Sequence, residues 1–142
     1  MKTKIFGFSV IILLLTSLVF TSCDNDDFEG STTFYGKVIL SPSSTKNGEQ
    51  ITFKIGNFDV SNSVSIGTSV EINGKNVVKS VSYYVDGKKV AESSDKDNGY
   101  SVKYVVSNLS VGIHEVTAHC TSNFKHYTIK ETITAATLQV QE

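Results

Sequence analysis

Apolar and polar residues alternate with a period of two along most of this chain, from residue 33 almost to its end. The alternating segments are short, rich in Val, Ile, Thr, Tyr and Phe, and separated by turn-forming residues. Such segments are typical of β-strands that face a core on one side and solvent on the other. The predicted strands are 33–40, 50–58, 64–72, 77–86, 100–107, 113–121 and 126–134. Because none of them has helical periodicity, the pattern predicts an all-β sandwich or barrel.

The segment SVSYYVDGKKVAE, residues 80–92, predicts a β-hairpin. Asp86-Gly87 is a two-residue turn signal because a type I′ turn requires a positive φ at both central positions. The predicted pairs are Val85 with Lys88 and Tyr83 with Val90. The odd-numbered residues of the first strand are expected to face the core.

The segment HEVTAHCTSNFKHYTIKE, residues 114–131, predicts a second hairpin that turns around Ser122 and Asn123. This register gives two apolar pairs on one face, Val116 with Ile129 and Ala118 with Tyr127. The pairs on the other face are Glu115 with Lys130, Thr117 with Thr128, and His119 with His126. Pairs of this kind favour a half-buried antiparallel ladder. The residues expected to be buried are Tyr83, Val116, Ala118 and Ile129, and those expected to be exposed are Glu115, Thr117, His119 and Lys130.

The N-terminal segment breaks the alternation with an almost continuous apolar run over residues 5–20. Lys2 and Lys4 precede the run, and the small residues Thr21 and Ser22 follow it. A positive start, an apolar stretch and small residues at the end are typical of a secretory signal peptide. The alternative is a permanent membrane anchor, but the run is shorter than the roughly 18–20 residues of a spanning helix. We expect residues 1–22 to be cleaved as a signal peptide.

The sequence Phe20-Thr21-Ser22-Cys23 resembles a lipobox, the motif at which bacterial lipoproteins are processed, with Phe20 where Leu is usual. The resemblance implies that the thiol of Cys23 is diacylated and that Cys23 becomes the new N-terminus. Two or more acyl chains anchor a protein stably without a transmembrane helix. The expected partner of Cys23 is therefore the membrane.

Four acidic residues, Asp24, Asp26, Asp27 and Glu29, follow the cysteine directly. Clustered like charges with little hydrophobicity predict a flexible acidic tether over residues 23–32, which leaves residues 33–142 for the globular domain. The segment Asn25-Asp26-Asp27-Phe28-Glu29 also resembles the export signal of Bacteroidota-type surface lipoproteins. For Asp26, Asp27, Phe28 and Glu29, this resemblance implies a role in export to the outer leaflet of the outer membrane. The expected location is the cell surface.

Composition and charge narrow the function classes. Without the two lysines of the signal peptide, 11 lysines stand against 14 acidic residues, a net charge of −3. We find no basic patch large enough for nucleic acid. Of the two cysteines, Cys23 is expected to carry lipid, so Cys120 has no partner for a disulfide and is expected to be a small buried apolar residue.

The segments VVKSVSYYVDGKKVAES and YSVKYVVSNLSVGIHEVTAHC resemble bacterial immunoglobulin-like domains of surface and secreted proteins. The resemblance spans residues 67–140 and leaves 33–62 uncovered. The matching positions are Val78, Val81, Tyr83, Tyr84, Val85, Asp86, Gly87, Leu109, Gly112, His114, Val116 and Ala118. It implies an immunoglobulin-like antiparallel β-sandwich of about seven to eight strands. It also implies structural roles for these residues, in turns, core and corner.

Few residues suggest chemistry. His119 and His126 form a weak candidate metal pair, since a site usually needs three or four ligands. The segment SDKDNG, with Asp95 and Asp97, has oxygen ligands at alternate positions but lacks the further acids of an EF-hand. No catalytic arrangement can be assembled, so we expect a non-enzymatic protein without a cofactor.

Three hypotheses of function remain open on the sequence. The first is a surface binding or adhesion module for a glycan or a protein, with Tyr84 and Phe124 as the candidate aromatic contacts. The second is an accessory subunit that docks on a larger outer-membrane complex through a sheet edge. The third is a hydrolase whose site the sequence does not reveal. The fold alone does not decide among them.

Overall fold

Two β-sheets face each other in a computed structural model, which describes residues 30–61, 63–65, 71–72 and 76–142. The predicted signal peptide, Cys23 and the export segment lie outside the described residues, and of 63–65 and 71–72 only the backbone is described. The strands are β1 Gly30–Ser41, β2 Ser44–Lys46, β3 Gln50–Val60, β4 Ser63–Ser65, β5 Glu71–Ile72, β6 Val78–Val85, β7 Lys88–Ser93, β8 Val102–Val105, β9 Gly112–Ser122, β10 Tyr127–Thr134 and β11 Ala136–Gln141.

The predicted strands coincide with observed ones, with two differences at the N-terminal side. Strand β1 begins at Gly30, so residues 30–32 belong to the sandwich and not to the tether. The segment predicted as one strand, 64–72, contains the two short strands β4 and β5, and residues 66–70 between them lie outside the described residues. Strands β2 and β11 were not predicted from the pattern. In the described ranges, no helix has both the length and the apolar character needed to cross a membrane.

The sheet order has the arrangement of an immunoglobulin-like domain. The first sheet runs β5-β4-β1-β3-β8, with β10 on the opposite edge of β1, and the second runs β2-β11-β9-β6-β7. Strands β1, β3 and β8 correspond to A, B and E of such a domain, and β6, β7, β9 and β11 to C, C′, F and G. The predicted all-β sandwich is confirmed. The described residues contain eleven strands rather than seven or eight.

Two strand pairs are parallel, although an antiparallel sandwich was expected. Strand β1 pairs with β10 in the first sheet, and β2 pairs with β11 in the second. Both parallel pairs arise because the first and the last segments of the domain each pass from one sheet to the other. Together they join the two sheets along one side of the sandwich.

The predicted hairpin of residues 114–131 is wrong. Strand β9 pairs with β6 and β11, whereas β10 crosses to the other sheet and pairs with β1. His119 therefore lies opposite Ser82 and not opposite His126. The alternation could not reveal this, because Val116 and Ile129 point into the same core whether their strands are neighbours or lie in facing sheets.

Because the inward-facing residues are the same in both arrangements, most of the predicted burial pattern is correct. Tyr83, Val116 and Ala118 are buried, and Ile129 is half-buried against the core. On the other face the exposed residues are Glu115, His119 and Lys130. Thr117, which was expected to be exposed, is half-buried beside Tyr84.

The Asp86-Gly87 turn forms as predicted, with φ of 50° and 81° at its two residues. Val85 lies opposite Lys88, but Tyr83 lies opposite Ala91 rather than Val90. A β-bulge after the turn accounts for this one-residue shift, since an extra residue on one strand displaces every later pair.

Aromatic rings from both sheets meet in the core. Phe53 of β3 stacks on Tyr83 of β6, with ring centroids 5.1 Å apart. The hydroxyl of Tyr83 donates a hydrogen bond of 2.6 Å to the backbone oxygen of Tyr100. The hydroxyl of Tyr100 is buried and has no hydrogen-bond partner among the described residues, and burial raises the pKa of this phenol to about 12.

The two tyrosines should respond differently to loss of the hydroxyl. Tyr83→Phe removes a buried hydrogen bond and is expected to lower the free energy of unfolding by about 1 kcal/mol. Tyr100→Phe removes a buried hydroxyl without a partner and is expected to leave the stability equal or higher. Urea denaturation of both variants measures this, and a larger loss for Tyr100→Phe would contradict the assignment of the two hydroxyls.

Candidate functional site

The candidate binding residue Tyr84 lies on the outer face of the second sheet, where β6 and β9 run side by side. Its ring meets the His119 ring edge to face, with centroids 5.1 Å apart and an interplanar angle of 76°. Tyr84 is half-buried, and 59% of the His119 side chain is exposed. We call this the tyrosine–histidine surface, consisting of Tyr84, His119 and Glu131.

Glu131 of β10 holds the imidazole in place. His119 Nδ1 donates a hydrogen bond of 2.8 Å to Glu131 Oε2, because an ionised carboxylate can only accept. In the neutral imidazole, Nε2 is then the acceptor and is available to a ligand. The other oxygen of Glu131 accepts from the backbone N–H of Cys120. One carboxylate therefore orients the histidine and satisfies the backbone of β9.

The position of Glu131 follows from the strand crossing. Strand β11 lies along β9 only from Gly112 to Val116, and β10 belongs to the other sheet. Strand β11 does not extend along β9 as far as Cys120, so the N–H of Cys120 has no neighbouring strand on that side. The side chain of Glu131 accepts its hydrogen bond instead. Glu131 pairs with the inward-facing Phe34, which directs its carboxylate across the gap between the sheets.

Beside this surface, β6 and β7 carry a second set of polar contacts. Glu92 accepts hydrogen bonds of 2.5 Å from both Ser80 Oγ and Lys89 Nζ. These donors hold the pKa of the Glu92 carboxyl below its usual value, Lys89 having the larger effect. Ser80 and Ser82 are buried beneath the longer side chains. The outer face of the second sheet thus combines one aromatic ring with fixed donors and acceptors.

Phe124, the other candidate aromatic residue, lies elsewhere. It follows the end of β9, where Ser122 pairs with Val78, and its ring centroid is 6.1 Å from that of Tyr127. Tyr84 is six residues further along β6 than Val78, a separation of about 20 Å. The structure does not bring Phe124 and Tyr84 into one site.

The candidate metal ligands do not converge either. No group of three His, Cys, Asp or Glu side chains in the described ranges could hold a metal ion, and no cavity is found there. Asp95 precedes a 3-10 turn, Lys96–Asn98. Asn98 Nδ2 donates a hydrogen bond of 2.7 Å to Asp95 Oδ2. Cys120 is half-buried rather than buried, and burial raises the pKa of its thiol.

His114, the third residue of β9, makes two short polar contacts. It is only 6% exposed, with Nδ1 2.6 Å from Asp86 Oδ2 and Nε2 2.7 Å from the backbone oxygen of Ser110. Both neighbours are acceptors, so both nitrogens donate only when the ring is a cation. The hydrogen bond from His114 lowers the pKa of Asp86, and the Asp86 carboxylate raises the pKa of His114. The resemblance to immunoglobulin-like domains implied a corner residue here, but not this ion pair.

Comparisons with known proteins add little. No protein-family model and no curated protein matches the chain. A search of solved structures finds similarity to the fibronectin(III)-like modules of CbhA from Clostridium thermocellum, at 10% identity and a TM-score of 0.35. The alignment covers 80% of this chain and 46% of that one, so this chain spans less than half of the structure it matches. The assignment of the fold therefore depends on the strand order described above.

The His114–Asp86 pair predicts a defined pH dependence of stability. The raised pKa of His114 gives stability that is complete below the unfolded value of 6.5 and is lost as the pH rises through the folded pKa. The lowered pKa of Asp86 gives stability that is complete above 3.8 and is lost as the pH falls through its folded pKa. The contribution of the pair is therefore greatest between these two values.

We expect the urea midpoint of the wild type to decrease as the pH rises from about 6 to about 9. The urea midpoint of His114→Gln should change much less over this range. The exposed His126 provides the control, since His126→Gln should keep the wild-type profile. If His114→Gln and the wild type lost stability in parallel, the imidazolium assignment would be wrong.

Proposed function

We propose that this chain is a lipid-anchored protein of the outer-membrane surface whose β-sandwich is a non-catalytic glycan-binding module. The tyrosine–histidine surface is the proposed site. The observation that carries the proposal is the contact between Tyr84 and His119, in which an aromatic ring adjoins an imidazole whose orientation Glu131 fixes.

Sugar rings present apolar C–H faces beside a rim of hydroxyl groups. Tyr84 offers a ring for the apolar face and a hydroxyl for the rim. His119 Nε2 and the carboxylates of Glu131 and Glu92 provide acceptors for sugar hydroxyls. Tyr84, His119 and Glu92 lie on paired strands of the second sheet. Glu131 of β10, in the first sheet, is hydrogen-bonded to His119, so the spacing of these groups is fixed before binding, which reduces the entropy cost of ordering the site.

The proposed anchor rests on the sequence at the N-terminus. Cys23 follows an apolar segment and two small residues, and seven positions later Gly30 begins β1. The proposed export signal consists of Asp26, Asp27, Phe28 and Glu29. A tether of this length places the sandwich within about 25 Å of the bilayer.

Cys23→Ala is expected to abolish membrane association, since the variant lacks the thiol that carries the acyl chains. Detergent phase partitioning measures this: the wild type should enter the detergent phase and the variant the aqueous phase. Cys120→Ala is the matched control and should partition like the wild type. A Cys23→Ala variant that still enters the detergent phase would contradict the lipid anchor.

Tyr84→Ala is expected to lower the affinity for a bound glycan about tenfold, since a central aromatic contact contributes more than 1 kcal/mol to binding. Screening the purified protein on a glycan array identifies the ligand, and titration calorimetry then measures the affinity of each variant. Phe124→Ala is the control and should bind like the wild type, because this ring lies far from Tyr84. Equal binding by Tyr84→Ala and the wild type would exclude this surface as the site.

A further inference from the structure

The outer face of the first sheet carries one lysine on each of four adjacent strands. In spatial order these are Lys130 on β10, Lys37 on β1, Lys54 on β3 and Lys103 on β8. All four side chains are exposed, and their strand partners share the same outward face. We call these four residues the lysine row.

The registers place the row on a diagonal of the sheet. Lys130 lies opposite Thr33, near the start of β1, and Lys37 is four residues further along that strand. Lys54 lies opposite Ile39. Lys103 lies opposite Thr52, which itself lies opposite Ser41 at the end of β1. Neighbouring lysines are therefore about 8–14 Å apart, and the row is about 30 Å long.

The positive charge of the row is not neutralised by ion pairs, since none of the four lysines forms one with any of the residues that the structure describes. Asp59, opposite Tyr35, lies on this face, and its carboxylate accepts a hydrogen bond from the backbone N–H of Val60. Because the whole chain has a net charge of −1, the row reflects a segregation of charge and not a basic composition.

Exposed apolar side chains accompany the lysines. Tyr35, Ile39 and Val105 are 45%, 38% and 54% exposed, and all three lie on this outer face. Tyr35 lies between the levels of Lys130 and Lys37 along β1. The Ile39 side chain covers Gly56, in the space that a Cβ at this position would occupy. Lysines therefore alternate with apolar contact area along the diagonal.

We propose that the lysine row binds a linear acidic polysaccharide that lies along this diagonal. Acidic groups of successive sugar units would contact the lysines, while the Tyr35 ring packs against the face of a sugar. Hydroxyl side chains beside the row, such as Thr52 and Thr132, offer hydrogen bonds to a carbohydrate. The proposal is independent of the contact between Tyr84 and His119, which lies on the other sheet. Glu131, which orients His119, is on β10 beside Lys130 but pairs with the inward-facing Phe34 and so does not share the outer face of the row.

A polysaccharide fits the row better than an anionic membrane does. A bilayer would contact the whole face, whereas the charges follow one line across it.

The test compares two triple variants with the same change of charge, in the full chain carrying Cys23→Ala so that an anchor does not contribute. The row variant is Lys37→Gln, Lys54→Gln and Lys103→Gln, and the matched control is Lys79→Gln, Lys88→Gln and Lys125→Gln. The polymers are polygalacturonate and dextran sulfate, with dextran as the neutral reference. Urea midpoints equal to that of the wild type would show that neither variant is misfolded.

We expect the wild type to bind both acidic polymers but not dextran. The row variant should bind at least tenfold more weakly, and the slope of log Kd against log salt concentration should fall by up to about 3, because each lysine contact releases about one counterion. The control should keep the wild-type slope. Tyr35→Ala should weaken binding without changing the slope. Tyr84→Ala should leave the binding of the acidic polymers unchanged, whether or not the tyrosine–histidine surface binds a glycan.

Three results would overturn the proposal. The first is no binding of the wild type to either acidic polymer. The second is an equal loss in the two triple variants, which would assign binding to net charge alone. The third is tighter binding to vesicles of phosphatidylglycerol or to single-stranded DNA than to either polysaccharide, which would assign the row to a membrane or a nucleic acid.

Discussion

The last strand of the domain is divided between the two sheets, and much of the remaining structure depends on this division. Strands β10 and β11 are separated by Ala135 alone, yet one pairs with β1 and the other with β9. The crossing joins the sheets along one side without a disulfide. It also leaves the N–H of Cys120 without a neighbouring strand, and Glu131 satisfies it. Because the same carboxylate orients His119, the candidate site is a consequence of how the sandwich closes.

The alternation of apolar and polar residues predicted which residues face the core, because the period of a strand is independent of its partner. It could not predict the partner. Val116 and Ile129 point into one core from different sheets, so a hairpin and a crossing give the same pattern. The Asp86-Gly87 turn was predictable because its backbone geometry restricts the residue types. The bulge that moves Tyr83 opposite Ala91 has no comparable signal in the sequence.

The candidate surfaces were harder to predict than the core for a related reason. Tyr84 could be placed on an outward face from the hairpin, but its contact with His119 required the pairing of β6 with β9. The lysine row could not be predicted either, since its members are spread in sequence from Lys37 to Lys130. Only the register of four strands places them on one diagonal of the sheet. Residues that lie close together in the sequence, such as Asp95 and Asp97, suggested a site more readily and formed only a local turn.

A sandwich with two solvent-facing sheets can carry two unrelated surfaces, because the core separates them. On the side of the second sheet, polar and charged groups are already hydrogen-bonded to one another, as in the contacts of Glu92 with Lys89 and of His119 with Glu131, which reaches across from β10. Such groups are fixed in position, which suits the recognition of an uncharged ligand by hydrogen bonds. On the first sheet, lysines such as Lys54 have no ion-pair partner among the described residues, so an added anion would meet uncompensated charge. The difference in pairing, more than the number of charges, distinguishes the two faces and the ligands proposed for them.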